Sequence, residues 1–166
     1  HCLSTEEGAT SISAYFDYYR EECEGPIDPL FNFPNVSGST LLATSEQTDV
    51  TFLELSSLPE NRFFLGWTTA TLPHGTELFR LSHPSGRPQH YSASTVDVFA
   101  GQCTGLRRPY FVYSRPVEGG TIGGSSGSPT VTADGLVIGQ LLGACGPNVE
   151  DPCDYDNAEV DGALSR

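Results

Sequence analysis

The chain has 166 residues and a mass of 17.8 kDa, enough for one domain core. Its formal net charge of −13 and pI near 4.4 argue against nucleic acid and anionic membranes as partners, because both would repel such a surface. The sequence contains no apolar run of about 18 residues that could cross a membrane as a helix.

Short apolar runs separated by Gly, Pro, Asn and Ser clusters predict an all-β chain. The 18 glycines and 12 prolines leave little room for long helices. The predicted strands, in chain order, cover 12–19, 40–44, 50–55, 63–67, 78–81, 94–99, 110–113, 130–132 and 136–142, with a late strand near 158–162. Evenly spaced short strands of this kind are typical of a β-sandwich or a β-barrel.

The most informative segment is Gly124-Ser125-Ser126-Gly127-Ser128-Pro129. A serine between glycines in this order is suited to act as a nucleophile. Gly124 lets the N–H groups of Gly124 and Ser126 turn toward one point, where they can stabilise an oxyanion. Turns rich in Gly and Ser also connect strands without any function, so an ordinary loop is the alternative.

A serine nucleophile needs a base within hydrogen-bond reach and an acid that orients the base. The chain begins with His1 and Cys2, and Asp49 precedes the alternating strand predicted at 50–55. All four histidines precede Ser126, which excludes an α/β-hydrolase, where the nucleophile comes before the histidine. The alternatives are a frayed terminus for His1 and a strand-capping carboxylate for Asp49.

His1-Cys2, Thr48-Asp49 and the Gly-x-Ser-Gly-x-Pro turn together resemble the three landmark motifs of the chymotrypsin-fold, trypsin-like serine peptidases, in the same chain order. Further similarities extend over most of the chain and point to the bacterial lysyl-endopeptidase-like branch: Gly38-Ser39-Thr40, Gly66-Trp67, His83-Pro84 and Gly139-Gln140-Leu141. Ser125 stands where trypsin-like animal enzymes carry an aspartate, which also favours a bacterial branch.

The resemblance implies a serine endopeptidase with His1, Asp49 and Ser126 as its catalytic triad. The N–H groups of Gly124 and Ser126 would form the oxyanion hole. His1 would take the proton of the Ser126 hydroxyl, and Asp49 would orient the imidazole and stabilise its charged form. No cofactor and no metal are expected, the expected partners are protein or peptide substrates, and we expect a monomer.

The resemblance also places a substrate pocket between the segment 118–124, the strand at 140–143 and the late strand. Its candidate residues are Gly120, Leu141, Leu142, Gly143 and Glu159. A peptidase that prefers Lys or Arg needs a carboxylate in this pocket, because an unpaired buried ammonium is very unfavourable.

Glu159 falls near the register of the acid that lysyl endopeptidases use, with Asp156 and Asp161 as neighbours. The acidic run over 150–161 is equally expected of a solvated loop. A glutamyl-specific peptidase, with basic or hydroxyl groups in the pocket, is a further alternative.

The family architecture is a two-barrel chymotrypsin-like fold, for which 166 residues are few. Because strands normally precede the catalytic histidine, we expect a fragment whose first barrel is incomplete at its N-terminus. Residues 1–70 are expected to form the remainder of the N-terminal barrel, and residues 71–166 the C-terminal barrel. The alternative function is an inactive fragment or a non-catalytic binding module on the same scaffold.

Five cysteines without a CxxC pair favour an oxidising compartment, so we expect a secreted or periplasmic protein. A disulfide between Cys145 and Cys153 is expected across the turn-rich segment between them. Cys23 is expected to pair with Cys103 or with a cysteine upstream of the chain. In the resembled family the partner of Cys2 also lies upstream. A metal site is the weaker hypothesis at these spacings.

Overall fold

The computed structural model describes residues 3–165. Within these residues the chain consists of strands and connecting segments, apart from one short helix and two 3-10 turns, which confirms the all-β prediction. The chain divides into two compact units, His1–Phe64 and Leu65–Arg166. None of the helices within residues 3–165 has the length and apolar character needed to cross a membrane.

The first unit contains helix α1 (Glu6–Thr10) and strands β1 (Ser13–Tyr15), β2 (Asn35–Ser37), β3 (Ser39–Ser45) and β4 (Val50–Leu55). β1 pairs with β2 and β3 with β4, both antiparallel. α1 begins at Thr5, whose hydroxyl oxygen accepts a hydrogen bond from the backbone N–H of Gly8 at 3.1 Å. The hydroxyl of Ser39 donates to the carbonyl of Ala9 at 2.7 Å. This bond joins the end of the helix to the start of β3.

The second unit contains strands β5 (Gly66–Trp67), β6 (Glu77–Ser82), β7 (His90–Val96), β8 (Phe111–Glu118), β9 (Pro129–Thr132), β10 (Leu136–Cys145) and β11 (Ala158–Ala163). Six of these strands follow one another in the order β11, β8, β7, β6, β9, β10, and β10 pairs with β11 to close a barrel. All pairings in this ring are antiparallel. Closure gives each of the six strands a pairing partner on both sides.

The interior of this barrel is partly apolar and partly polar. Leu78, Val96 and Ile138 form a buried apolar cluster inside the barrel. A second cluster, which includes Phe111 and Tyr113, lies on the opposite face of β8 and β11, because Tyr113 pairs with Val160 while Ser114 pairs with Glu159. Several inward positions carry polar or charged side chains instead: Arg80, Ser82, Ser92, Ser94, Ser114, Thr130, Glu159 and Asp161. Because these side chains are buried, hydrogen bonds and ion pairs among them offset part of the cost of removing them from water.

The polar interior also explains where the strand predictions are wrong. β7 runs from His90 to Val96 rather than over 94–99, and β8 continues to Glu118 rather than ending at 113. In β7 the buried positions alternate through Ser92, Ser94 and Val96. Serine at an inward position removes the apolar signal from which a strand is predicted.

The disulfide pairing differs from the prediction. Cys145 is bonded to Cys103, with 6.1 Å between their Cα atoms, so the expected pairs Cys145–Cys153 and Cys23–Cys103 are wrong. The alternation of β10 turns Cys145 into the apolar cluster against which Cys103 packs. Cys153 and Cys23 are free and exposed. Cys2 lies outside the described residues.

We expect the Cys103–Cys145 bond to stabilise the second unit. The bonded cysteines are 42 residues apart, and closing a loop of this length contributes about 4 kcal/mol in the chain-entropy model. Substituting both cysteines by serine is therefore expected to lower the free energy of unfolding by about 2–5 kcal/mol. Urea denaturation followed by the fluorescence of Trp67, the single tryptophan, measures this.

The matched control is Cys153→Ser, which removes an exposed free thiol and should leave the unfolding midpoint unchanged. Peptide mapping without reduction provides the second readout. A map that links Cys145 to Cys153 would contradict the assignment.

Candidate active site

The predicted catalytic residues are distributed over both units. His1 lies outside the described residues. Asp49 lies in the first unit, at the end of the turn between β3 and β4, and is half-buried. Its φ of 52° is left-handed, a conformation that aspartate adopts more readily than most residues. Thr48, directly before it, is buried. The triad itself stays a prediction.

The segment around Ser126 forms two consecutive tight turns in the second unit. The N–H of Ser125 donates to the carbonyl of Ile122 at 2.9 Å, and the N–H of Ser128 donates to the carbonyl of Ser125 at 3.1 Å. Ser125 is fully buried, and its hydroxyl oxygen accepts a hydrogen bond from Ser82 at 3.2 Å. Ser126 is exposed. The turn therefore points one serine into the barrel and the next one out of it.

Two backbone N–H groups of this turn are available to a ligand. Within residues 3–165 the amides of Gly124 and Ser126 donate no hydrogen bond, whereas those of Ser125 and Gly127 are bonded to backbone carbonyls. Gly124 and Ser126 are both exposed, so these two donors are open to a ligand beside the Ser126 hydroxyl.

Gly124 is required by the packing behind the turn. Its φ is +95°, and a Cβ there would lie 2.6 Å from the backbone nitrogen of Ser85 and 3.2 Å from the carbonyl oxygen of His83. The N–H of Ser85 also donates to the carbonyl of Gly123 at 2.8 Å. The turn is thus held against the segment after β6, at a distance that admits only glycine.

Strand β10 lies beside the turn and brings three of the predicted pocket residues to it. The N–H of Gly127 donates to the carbonyl of Leu141 at 2.8 Å. The hydroxyl of Ser126 lies 3.4 Å from the carbonyl oxygen of Leu142, to which it donates. Gly143 follows at a break in the register between β10 and β11. Leu141 and Leu142 therefore contact the turn, and the role of Leu141, Leu142 and Gly143 in a substrate pocket stays a prediction.

A small cavity lies between the segment after β8, the end of β10 and the loop 146–157. It is lined by Pro116, Thr121, Ala144, Val149, Pro152, Asp154, Asn157, Ala158 and Glu159. Gly120 lies close to this loop, because a Cβ at this position would lie 2.8 Å from the carbonyl oxygen of Pro152. Of the remaining predicted pocket residues, Glu159 lines this cavity and Gly120 packs against Pro152, one of its lining residues.

Glu159 is not part of a solvated loop, so this expectation is wrong for the last residues of the acidic run. Glu159 and Asp161 lie in β11 and are 3% and 0% exposed. The solvated character holds for 150–156, most of which is exposed. The change occurs where β11 begins to pair on both sides, with β10 and with β8.

The sequence analysis did not identify the partner of these two carboxylates, Arg80. Its guanidinium is 2% exposed, and Nη2 donates to Asp161 Oδ1 at 2.8 Å and lies 3.5 Å from Glu159 Oε2. Thr130 donates a further hydrogen bond to Asp161 Oδ1 at 2.5 Å. The signal was present in the period of β6, where Leu78, Arg80 and Ser82 share the inward face.

The electrostatics of this group are unbalanced. With both carboxylates ionised, one guanidinium faces two negative charges. Burial raises the pKa of Glu159, and the charge of Arg80 opposes this shift only in part. Burial lowers the pKa of Arg80, but the charges of Asp161 and Glu159 outweigh burial, so the pKa of Arg80 is raised. Glu159 Oε1 and Asp161 Oδ2 are buried without a hydrogen-bond partner among the described residues. A cation that reached Glu159 would neutralise the surplus negative charge and would give Glu159 Oε1 a partner.

Among residues 3–165, no group of three or more His, Cys, Asp or Glu side chains is arranged to hold a metal ion.

Solved structures of the protease Rv3671c from M. tuberculosis are similar to this chain. The active form has a TM-score of 0.55 and 18% identity over 79% of this chain and 55% of its own. An inactive form has a TM-score of 0.54 and 18% identity over 79% of this chain and 63% of its own. The inactive mutant form from strain H37Rv has a TM-score of 0.52 and 19% identity over 78% of this chain and 61% of its own.

The chain thus spans 55 to 63% of the length of these proteins. At such identities the likeness establishes the fold, which is that of the chymotrypsin-like serine proteases. The sequence profile of the family described as lysyl endopeptidase, C-terminal domain, matches residues 1–156. With a match over nearly its whole length and a barrel of the corresponding fold, the chain belongs to the lysyl endopeptidase C-terminal domain family.

Proposed function

We propose that the whole protein is a serine endopeptidase that acts through His1, Asp49 and Ser126. The observation that carries the proposal is the turn around Ser126, which exposes its hydroxyl beside the unbonded amides of Gly124 and Ser126. Membership of the lysyl endopeptidase family supports the same activity.

In the proposed reaction the Ser126 Oγ attacks the carbonyl carbon of the scissile peptide bond while His1 takes the hydroxyl proton. The carbonyl oxygen becomes an oxyanion that accepts hydrogen bonds from the N–H groups of Gly124 and Ser126. His1 then gives its proton to the leaving amine, and an acyl-enzyme remains. Water activated by His1 attacks the acyl carbon and releases the acid. Asp49 stabilises the imidazolium in both halves of the reaction.

We also propose a two-barrel architecture in which residues 1–70 belong to an N-terminal barrel that is incomplete in this chain. Residues 71–166 form the C-terminal barrel in this proposal. Support comes from the contrast between the two separate strand pairs of the first unit and the closed ring of the second. The Cys103–Cys145 disulfide supports secretion or periplasmic location, since such bonds persist in oxidising compartments.

For specificity we propose a preference for Lys or Arg at the residue that supplies the scissile carbonyl. Glu159 lines the cavity between the end of β10 and the loop 146–157, and Gly120 packs against Pro152 of the same loop. With both carboxylates ionised, the buried group formed by Arg80, Glu159 and Asp161 has one surplus negative charge, which a substrate cation neutralises. A glutamyl preference is disfavoured, because the one guanidinium already faces two carboxylates and a third would be repelled.

Ser126→Ala is expected to abolish labelling of the whole protein by a fluorophosphonate, because the reagent reacts only with an activated serine hydroxyl. In-gel fluorescence measures the labelling. The matched control Ser57→Ala removes an exposed serine of the first unit and should label as the wild type does. Labelling that persists in Ser126→Ala would contradict the assignment, and an inert wild type would favour a non-catalytic binding module.

Gly124→Ala is expected to lower kcat by about 10²- to 10³-fold, the usual cost of one oxyanion-hole donor. The added Cβ collides with the backbone of Ser85 and disfavours the left-handed φ, so the amide turns away from the oxyanion. Gly123→Ala is the matched control, because a Cβ there meets nothing within 4 Å. Steady-state kinetics on a peptide amide measures both, and equal activity of the two variants would refute the role of this amide.

Glu159→Gln is expected to reduce the ratio of kcat/KM for a lysyl substrate to that for its norleucyl analogue by about 10- to 100-fold. This range corresponds to one lost hydrogen bond with a charged group. Glu77→Gln, an exposed acid on β6, is the matched control and should keep the ratio.

The same kcat/KM ratio, measured as a function of pH, shows whether the lysyl preference depends on the negative charge of Glu159 or only on the size of its side chain. Because burial raises the pKa of Glu159, its protonation begins above the ordinary range of a glutamate. The ratio should therefore fall as the pH is lowered through this pKa, while Glu159→Gln should give a low ratio at every pH. A pH effect on the chemical step itself applies to both substrates and cancels in the ratio. A wild-type ratio that is independent of pH, or a ratio that favours a glutamyl substrate, would exclude the proposed specificity.

A further inference from the structure

The guanidinium of Arg80 contacts both the turn that carries Ser126 and the strand that carries Glu159. Nη1 donates to the carbonyl oxygen of Ser128 at 3.0 Å and lies 3.3 Å from its hydroxyl oxygen. Nη2 donates to Asp161 and lies 3.5 Å from Glu159. One rigid, planar group therefore joins the two parts of the candidate active site.

On the side of the turn, Ser128 connects Arg80 to the nucleophile segment. The hydroxyl of Ser128 donates to the carbonyl of Ser125 at 2.6 Å, and its N–H donates to the same carbonyl at 3.1 Å. Its own carbonyl accepts from Arg80 and from the N–H of Leu141 at 3.0 Å. These bonds hold the peptide between Ser125 and Ser126 and the peptide that follows Ser128, and the one from Arg80 comes from a charged donor.

On the side of the pocket, Arg80 interacts unequally with the two carboxylates. Asp161 lies 2.8 Å from Nη2 and Glu159 lies 3.5 Å from the same atom. A substrate cation at Glu159 would compete with Arg80 for this carboxylate and leave the guanidinium to Asp161 and Ser128. Because both nitrogens belong to one plane, a shift of Nη2 alters the contact of Nη1 with the turn.

We infer that Arg80 is a positioning residue that transmits occupancy of the substrate pocket by a cation to the turn carrying Ser126. The inference rests on the proposed function and deepens it. A basic substrate side chain then accelerates acylation of Ser126 in addition to improving binding. Arg80 contacts neither the scissile bond nor the substrate cation in this role.

The test compares two phosphonate esters, one with a lysine-like and one with a norleucine-like side chain. Each phosphonylates the Ser126 hydroxyl with loss of its ester alcohol, a reaction that resembles acylation by a substrate. Each gives a binding constant and a maximal rate of inactivation. In the wild type we expect the lysine-like probe to be favoured in both. In Arg80→Lys we expect its advantage in the maximal rate to shrink about 10-fold, because one ammonium cannot bond the turn and the carboxylates together. Its advantage in binding should remain, since Glu159 is retained.

Two further variants make the result specific. Ser128→Ala removes hydroxyl contacts on the side of the turn and leaves Arg80 in place. It should also reduce the advantage of the lysine-like probe in the maximal rate and keep its advantage in binding. This variant tests the inference even if Arg80→Lys fails to fold. Arg108→Lys is the matched control, because Arg108 donates to the backbone carbonyls of Asp97 and Ala100 in the same unit and contacts neither the turn nor the acidic group; both advantages should be unchanged.

A purely structural role for Arg80 would slow both probes by the same factor, and this result would overturn the inference while leaving the proposed peptidase intact. A loss confined to binding of the lysine-like probe would overturn it as well, because Arg80 would then act on the pocket only. A wild-type protein that reacts with neither probe would overturn the proposed function together with the inference.

Discussion

The structure of the second unit depends on one buried charge. A guanidinium inside a closed barrel is tolerated only when it is paired, since the cost of burying it alone is several kcal/mol or more. Arg80 extends from β6 to Asp161 on β11, and these strands are not neighbours in the ring. The ion pair therefore crosses the interior, and Thr130 on β9 adds a third strand to it. A slip of any of these strands by one residue would turn its polar group outward and leave the others unpaired.

The nucleophile turn is organised by the same interior. Its fixed points are inward: buried Ser125, the carbonyl of Ser128 bonded to Arg80, and the backbone of Ser85 against Gly124. Its outward groups, the hydroxyl of Ser126 and two amides, are left for a ligand. Preorganisation of this kind lets donors face a developing charge without rearrangement during the reaction. The small residues of the turn are thus required on the inner side by close packing, and on the outer side by the need to leave a hydroxyl and two N–H groups open to a ligand.

This division explains how much the sequence alone could predict. β3, β4, β9 and most of β10 follow from apolar alternation and turn residues, and the segment around Ser126 is recognisable because its glycines meet a backbone demand that few other residues satisfy. β7 and β11 have serine, glutamate or aspartate at inward positions, so their burial depends on partners elsewhere in the chain. The partners of Arg80 are distant in sequence: Ser128 lies 48 residues further along the chain, and Asp161 lies 81 residues further. Such pairings, like the Cys103–Cys145 bond, are set by the register of the closed barrel and have no local signal.

The same reasoning bears on what a pocket acid means. In a chain with a net charge of −13, a single glutamate near the expected register carries little information by itself. What distinguishes Glu159 is its environment. Glu159 is buried, and one of its oxygens has no hydrogen-bond partner among the described residues. Its guanidinium partner, Arg80, lies closer to Asp161 than to Glu159. The preference for a cation is then a property of three side chains, because Asp161 determines how much of the Arg80 charge remains for Glu159. A relative with the same glutamate but a neutral residue in place of Asp161 would present a balanced pair, and its pocket would attract a cation far less.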